Sequence, residues 1–462
     1  MKVLKFGGSS VGNPERVNQV INILIERYIK KKQKIAVVFS AFQGVTDKLI
    51  EIGKLAFQRN QNYKKELEAL IARHYVAAMQ LRAGENDDEI SEILDPLFDE
   101  LKEVIHGVYL VKELSPRTLD YIVSFGEELS CSVIAAAINN RGIDCEYLNA
   151  STLIKTDDSF GNANVDFKTT NKNIQSYFKK HKNLQIITGF ISSTHKNEIT
   201  TLGRGGSDFT ASIFGAALNA DIIEIWTDVD GILTADPRKV KNAFSLPSVT
   251  YEEAMELSHF GAKVIYPPTM LPALQKKIKI VIKNTFNPDF IGTLILEKEV
   301  SKKFTVKGIS SIDNISLIRV QGGGMVGVTG IAGRLFSALA KHGVNIIMIT
   351  QASSEHTICL AIPPKFGAVS KKAIESEFKL EILEGKIGEV KVEENLSIIA
   401  VVGENMRRTT GISGMVFQSL GKNKINIIAI AQGSSELNIS LVISQSDLSK
   451  AMNVLHKAVF KK

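Results

Sequence analysis

Residues 329–362 read TGIAGRLFSALAKHGVNIIMITQASSEHTICLAI, and residues 410–443 read TGISGMVFQSLGKNKINIIAIAQGSSELNISLVI. The two stretches align without a gap, and about half of the positions are identical, the mark of an internal repeat. Chance does not produce such a match, so both stretches must fold alike. Each copy spells strand, helix, strand, strand, helix. In the first copy these are 315–320, 330–341, 345–351, 357–362 and 370–378, with a sixth element at 388–392. In the second they are 396–402, 411–422, 426–432, 438–444 and 448–460, and no sixth element follows. A strand-like stretch at 304–309 precedes the first copy and has no partner there. The pattern therefore predicts two domains, 313–393 and 394–462, with strand 304–310 completing the second and the first inserted into it.

A charged segment without apolar periodicity, EKEVSKK at 297–303, separates the repeats from residues 1–296. Those residues alternate short apolar runs (3–6, 35–39, 184–188, 222–226) with helical patterns. Such alternation predicts a parallel sheet covered on both faces, with ligands at the carboxyl ends of the strands. Residues from about 48 to 120 are rich in Glu, Lys, Leu and Ala, and predict a helical subdomain or lid beside the sheet. Hydrophobic content of 44% and charged content of 23% are those of a soluble globular protein. A net charge of +7 suits anionic ligands, or merely a soluble surface. The lysines are scattered without interleaved aromatics, which speaks against nucleic acid. Cys131, Cys145 and Cys359 are far apart and read as reduced thiols. No signal-peptide pattern opens the chain, and no apolar run approaches about 18 residues. The expectation is a cytoplasmic protein without a membrane span.

Several polar motifs follow strands. KFGGSS at 5–10 joins a mobile cation, Lys5, to two glycines that let backbone N–H groups approach a phosphate; a tight βα turn would look the same. TLGRGGSD at 201–208 packs an arginine, two glycines, Ser207 and Asp208 before a helix. Arg204 there could hold a carboxylate in bidentate fashion, while Ser207 and Asp208 also suit capping. WTDVDGILTADPRKV at 226–240 is a long polar turn suited to adenine and ribose, although Asp228, Asp230 and Asp236 serve equally as turn residues. SFGEELSC at 124–131 puts Glu127 near a helix start, and FGAKVIYPPT at 260–269 puts Lys263 after a helix.

In this order, KFGGSSV, SAFQGVTD, SFGEELS, TLGRGGSDFTA, IWTDVDGILTADPR, MELSHFGAKV and KNTFNPDFIGT resemble the aspartokinases of the amino acid kinase family. The duplicated stretch resembles that family's tandem ACT domains, and the resemblance covers nearly the whole chain. It implies a three-layer α/β/α domain with a mainly parallel sheet, followed by two ferredoxin-like βαββαβ domains. It implies transfer of a phosphoryl group from ATP, with Mg²⁺, to L-aspartate, giving 4-phospho-L-aspartate, the first step toward threonine, lysine and methionine. By the same resemblance Lys5, Gly7, Gly8 and Ser9 hold the transferring phosphoryl group, and Asp208 orients Lys5. Arg204 and Glu127 take the α-carboxylate and α-amino groups of aspartate, with Ser40, Thr46 and Ser207 beside the substrate. Thr227, Asp228, Asp236, Arg238 and Lys263 line the nucleotide site, and no side chain is assigned to a metal. The sequence departs from the family pattern at Leu233, where many relatives have Tyr, and at Tyr266 and Pro268, which replace the His and Arg of an HPRT ending.

The strand exits TQASSEHTI and AQGSSELNI resemble the threonine-sensitive aspartokinase half of bifunctional aspartokinase–homoserine dehydrogenases. This implies L-threonine as effector, read by the equivalent pairs Asn345 with Gln351 and Asn426 with Gln432, and a homodimer or higher oligomer formed through ACT domains. The chain is expected to be either a stand-alone enzyme of that branch or a piece of a bifunctional one. Two rival readings are another amino acid kinase, acting on glutamate or a carbamate, and a non-catalytic ACT-type sensor. The tandem ACT domains and SFGEELS argue against the first, and the intact set Lys5, Glu127, Arg204 and Asp208 argues against the second.

Overall fold

The computed structural model describes residues 1–84, 86–260, 265–298, 304–353, 356–407 and 409–460. It divides into two compact units. The first comprises Met1–Ile232, Ser245–Tyr251 and Val264–Glu299; the second comprises Leu233–Phe244, Glu252–Lys263 and Val300–Lys462.

The first unit opens with β1 (Lys2–Phe6), α1 (Pro14–Leu24) and β2 (Ile35–Phe39). Four helices follow: α2 (Val45–Phe57), α3 (Asn62–Leu81), α4 (Asp87–Val111) and α5 (Pro116–Asn139). After them come β3 (Cys145–Leu148), the short β4 (Lys155–Thr156), α6 (Phe167–Lys180), β5 (Leu184–Thr188), β6 (Ile191–Thr194) and β7 (Ile199–Thr201). The unit continues with α7 (Gly206–Ala217), β8 (Ile222–Thr227) and β9 (Ser248–Thr250). The helix α8 (Tyr251–His259) follows, of which all but the first residue belongs to the second unit. Last come α9 (Leu271–Gln275), β10 (Lys279–Asn284) and β11 (Thr293–Leu296).

The main sheet runs β3-β5-β2-β1-β8-β10-β11-β9. Every neighbouring pair is parallel except β10 with β11. β2 is buried at every position, as expected of a strand covered on both faces. The helical region is not a detached lid. Leu94 and Phe98 of α4 share one buried cluster with Leu4 and Phe6 of β1, so sheet and helices have a common core. The region also continues past residue 120, because α5 runs unbroken to Asn139. α5 is long and apolar enough to cross a membrane, which a search for uninterrupted apolar runs does not reveal. Here it is a core helix packed on β2, β3 and β5.

The second unit is built on two long strands. β12 (Gly308–Gln321) precedes α10 (Ile331–Ala340), β13 (Met348–Gln351), β14 (Thr357–Ile362), α11 (Gly367–Glu377) and α12 (Lys379–Leu383). β15 (Lys391–Val402) precedes α13 (Ile412–Lys422), β16 (Ala429–Ala431), β17 (Asn438–Ser444) and α14 (Leu448–Val459). The sheet order is β13-β14-β12-β15-β17-β16, antiparallel throughout. β12 serves both repeats. Its C-terminal half, Ser316 to Gln321, pairs with β14, while Gly308 to Ile312 pair with Ile398 to Val402 of the second repeat. Register shifts near Ile315 divide the two halves.

The two cores differ in what they admit. Among the described residues, that of the first repeat, around Ile318, Leu335 and Phe378, draws only on its own repeat. That of the second, around Ile399, Val416 and Leu455, includes Ala235 and Val240 from the segment after β8. The Thr234 hydroxyl is hydrogen bonded to His456 Nε2 (2.9 Å), and its carbonyl accepts from Ile309 N–H (2.8 Å). From α8, Glu253 Oε1 accepts the Glu404 N–H (2.8 Å), and the Leu257 carbonyl accepts from the Ser310 hydroxyl (3.1 Å). The two packed units part between Glu299 and Val300, inside the charged segment at 297–303, but Leu233–Phe244 and Glu252–Lys263 also belong to the second unit, which the sequence pattern does not show.

Candidate active site

Alternation along β1 sends Leu4 and Phe6 to one face of the sheet and Lys5 to the other. Phe6 is stacked between Phe39 and Trp226, with centroids 5.5 and 5.6 Å away, which fixes the strand end. Lys5 Nζ lies 2.6 Å from Asp208 Oδ1. That oxygen has no aligned hydrogen bond, so the contact is an ion pair. Asp208 stands in the first turn of α7, whose start has no side-chain cap. An uncapped helix start presents free N–H groups and a partial positive charge to an anion. The turn into α7 needs glycine. Gly205 has φ +73°, and a Cβ on Gly206 would lie 2.6 Å from Phe190 Cδ2.

Lys5, Gly8, Ser9, Ser40, Thr46, Glu127, Arg204, Ser207 and Asp208 line one cleft of about 390 Å³. They come from the ends of β1 and β2, the starts of α2 and α7, and the middle of α5. Gly7 is not among the lining residues; a Cβ there would be 3.3 Å from Lys5 Nζ. Phe42, Asp47 and Phe190 also line the cleft, and sequence reasoning passed over them. The first two lie inside SAFQGVTD, where the motif itself was the available signal. Phe190 had none: it is a bulky residue at φ +68°, a conformation costing about 1–3 kcal/mol. Its N–H donates to Thr210 Oγ1 (3.0 Å) and its carbonyl accepts from Leu202 N–H (2.9 Å), which hold it there.

Glu127 is 3% exposed. Its Oε1 accepts the Ala41 N–H at 3.2 Å, and its Oε2 has no hydrogen-bond partner. Burial raises its pKa to about 8, against the lowering effect of the Ala41 N–H and of Lys5. A buried carboxylate oxygen without a donor, facing a cleft, is suited to an incoming ammonium group. Arg204 supplies the opposite charge at the same cleft, its guanidinium 5.6 Å over the Tyr266 ring.

The nucleotide candidates are distributed differently. Thr227 ends β8, donating its hydroxyl to Asp228 Oδ1 (3.1 Å) while its carbonyl accepts from Thr285 N–H (2.8 Å). Asp236 and Arg238 belong to the second unit and bind each other, Arg238 Nη2 to Asp236 Oδ2 at 2.8 Å. Lys263 lies outside the described residues. Asn345, Gln351, Asn426 and Gln432 are all exposed. Neither Asn opens its strand as expected. Strand pairing begins at Met348 and Ala429, because residues 345–347 and 426–428 form no ladder. The edge strands β13 and β16 themselves meet, Thr350 Oγ1 donating to the Ile430 carbonyl at 2.8 Å. Among the described residues, no cluster of three or more His, Cys, Asp or Glu could hold a metal.

The family model for the amino acid kinase family matches residues 1–284, and an ACT domain model matches 318–378 and 399–459. Aspartokinase 3, chloroplastic, of Arabidopsis thaliana is 33% identical over 99% of this chain and 81% of its own length. The chain belongs to the aspartokinases of the amino acid kinase family. Bifunctional aspartokinase/homoserine dehydrogenase 1, chloroplastic, of Arabidopsis thaliana is 38% identical over 99% of the chain. The chain spans about half (51%) of that relative's length. Among solved structures, E. coli aspartokinase III in complex with aspartate and ADP superposes with a TM-score of 0.82 at 28% identity, covering all of both chains. The aspartate kinase of Clostridium acetobutylicum gives 0.83 at 28% identity, covering 99% of this chain and all of that one. Four of the motifs, KFGGSSV, SAFQGVTD, SFGEELS and TLGRGGSDFTA, contribute residues to the cleft, and the ACT matches fall on the two repeats.

Proposed function

We propose that the protein is an aspartate kinase, transferring the γ-phosphoryl group of ATP to the side-chain carboxylate of L-aspartate. The observation that carries this reading is the charge pattern of one cleft: Arg204 for the α-carboxylate, the unpartnered Glu127 oxygen for the α-ammonium, and Lys5, held by Asp208, for the transferring group. The E. coli relative solved with aspartate and ADP supports it.

The acceptor is a carboxylate, already ionised at neutral pH, so no general base is required. What opposes reaction is the approach of one anion to another. Lys5 and the uncapped start of α7 would stabilise charge on the phosphoryl oxygens, while Arg204 and Glu127 hold the acceptor in line. Mg²⁺ bound with ATP would add neutralising charge at the phosphates. The exposed positions Asn345, Gln351, Asn426 and Gln432 would read L-threonine, each amide offering donors and an acceptor to a hydroxylated zwitterion. The E. coli enzyme has been solved with lysine, so lysine is the alternative effector to be tested.

ADP release measured with aspartate, glutamate and no added acceptor tests the reading. Turnover with aspartate alone, inhibited by threonine, is expected. Equal ADP release with glutamate, or none with aspartate, rejects the substrate; inhibition by lysine but not threonine rejects only the effector.

A further inference from the structure

α5 carries a second carboxylate with no place in the scheme above. Asp120 is 3% exposed and does not line the cleft. Its Oδ2 accepts the N–H of Gly161 (2.8 Å) and of Thr201 (2.9 Å), and its Oδ1 accepts the Thr201 hydroxyl (2.8 Å). Thr201 is 81 residues further along the chain and ends β7. Burial raises the Asp120 pKa, while the three donors lower it, and no charged partner contributes. Such an arrangement is a poor ion-pair site and a good clamp. It orients two backbone N–H groups, of which that of Thr201 is buried and would otherwise lack an acceptor.

The clamped segment leads to the site. Thr201 also accepts the Ala163 N–H through its carbonyl (3.0 Å), and Leu202 N–H is tied to the Phe190 carbonyl (2.9 Å). Immediately beyond, Gly203, Arg204 and Gly205 line the cleft. On the other side, Glu127 follows Asp120 on α5 by seven residues. Seven residues are nearly two full turns, so the two carboxylates share a face about 10 Å apart along the axis. One rigid helix thus bears the group that meets the ammonium and grips the strand that presents the guanidinium for the carboxylate.

We propose that Asp120 is a positioning residue that fixes the Arg204 loop relative to Glu127, and so sets the spacing at which the two charges of an α-amino acid are recognised. The proposal rests on the assignment of the cleft to aspartate. Asp120→Ala removes the acceptor and leaves two N–H groups unpaired. Asp120→Asn keeps an oxygen toward both N–H groups and turns its amide toward the Thr201 hydroxyl, which can accept.

The test is steady-state kinetics with aspartate and ATP varied separately, on wild type, D120A, D120N and Arg204→Ala. Wild-type turnover of aspartate, with a raised aspartate KM in R204A, establishes the cleft first; failure here rejects the assignment and not the clamp. Given that, D120A is expected to raise the aspartate KM about tenfold or more, with the ATP KM and kcat changed far less, and D120N to restore most of it. A wild-type aspartate KM in D120A overturns the proposal, as does a D120N variant as defective as D120A. Should D120A not fold, Thr201→Val removes only the hydroxyl contact. A several-fold rise in aspartate KM in T201V then supports the clamp, and no change overturns it.

Discussion

Lys5, Glu127, Arg204 and Asp208 all belong to the first unit, Lys5, Glu127 and Asp208 on a buried strand or helix and Arg204 on the turn between β7 and α7. The loop expected to hold the nucleotide starts at Thr227 in that unit and passes into the second unit at Leu233. There it is tied to the second ACT repeat through Thr234, Ala235 and Val240. The residues proposed to read the acceptor are thus held within the first unit. The stretch Leu233–Phe244, expected from the sequence to continue the nucleotide loop, packs with the second ACT repeat. On the proposed reading, an effector bound to the second repeat would act on chain continuous with the expected nucleotide loop and not on Arg204 or Glu127, so control and acceptor recognition would rest on different residues.

The largest effect that would sharpen this contrast is at Lys5. Lys5→Ala should lower kcat about 10²–10³-fold, the usual loss on removing one such electrostatic contact, and change the aspartate KM much less. A kcat near wild type would break the acceptor-side reading.

Glu127 comes next. Its raised pKa, about 8, means that the free protein holds a neutral carboxyl below that pH. The folded state binds this proton more tightly than the unfolded chain. Its contribution to stability is therefore complete below the unfolded value near 4.5 and is lost as pH rises through about 8. Substrate ammonium needs the ionised form. Below about 8 the aspartate KM should climb up to about tenfold per pH unit, while the ATP KM stays flat. Glu127→Gln should keep the Ala41 contact, raise the aspartate KM and abolish its pH dependence. A wild-type profile in E127Q would remove Glu127 from the site.

A smaller effect is expected where the nucleotide loop meets the second unit. Thr234→Val leaves His456 Nε2 and the Phe244 N–H short of a partner, at a cost of about 1–3 kcal/mol to that packing. The ATP KM should rise about two- to fivefold, with the aspartate KM unchanged. Equal changes in both constants would erase the contrast between the two sides. Least in basal effect, Gln351→Ala and Gln432→Ala should leave uninhibited activity intact and raise the threonine concentration for half-inhibition about tenfold. Unchanged inhibition would remove these amides from effector binding.

Much of the site is legible in the sequence because its parts are local. A strand end, two glycines and a cation in KFGGSS, or an arginine between glycines in TLGRGGSD, announce themselves within eight residues. What local pattern cannot carry is reach. Asp120 looks like any helix surface acid until β7 arrives from far along the chain, and Phe190 looks like an ordinary strand residue until its φ is seen. The repeat likewise predicts strands at 304–309 and 396–402, but not that β12 and β15 are each one continuous strand. Helical periodicity at 48–120 leaves a subdomain and a lid equally open, since it shows which face of a helix is apolar and not what covers it; the shared core with β1 is visible only in the structure.

The partition of the chain between two packed units also has a consequence for anyone building chimeras. A cut near residue 300 looks natural, but a kinase half ending there would carry Ala235, Val240 and most of α8 away from the core and partners they pack with. An exchange of regulatory halves between relatives would therefore need residues 233–244 and 252–260 to travel with the ACT repeats. What can be inherited as a unit here is three separate stretches of sequence.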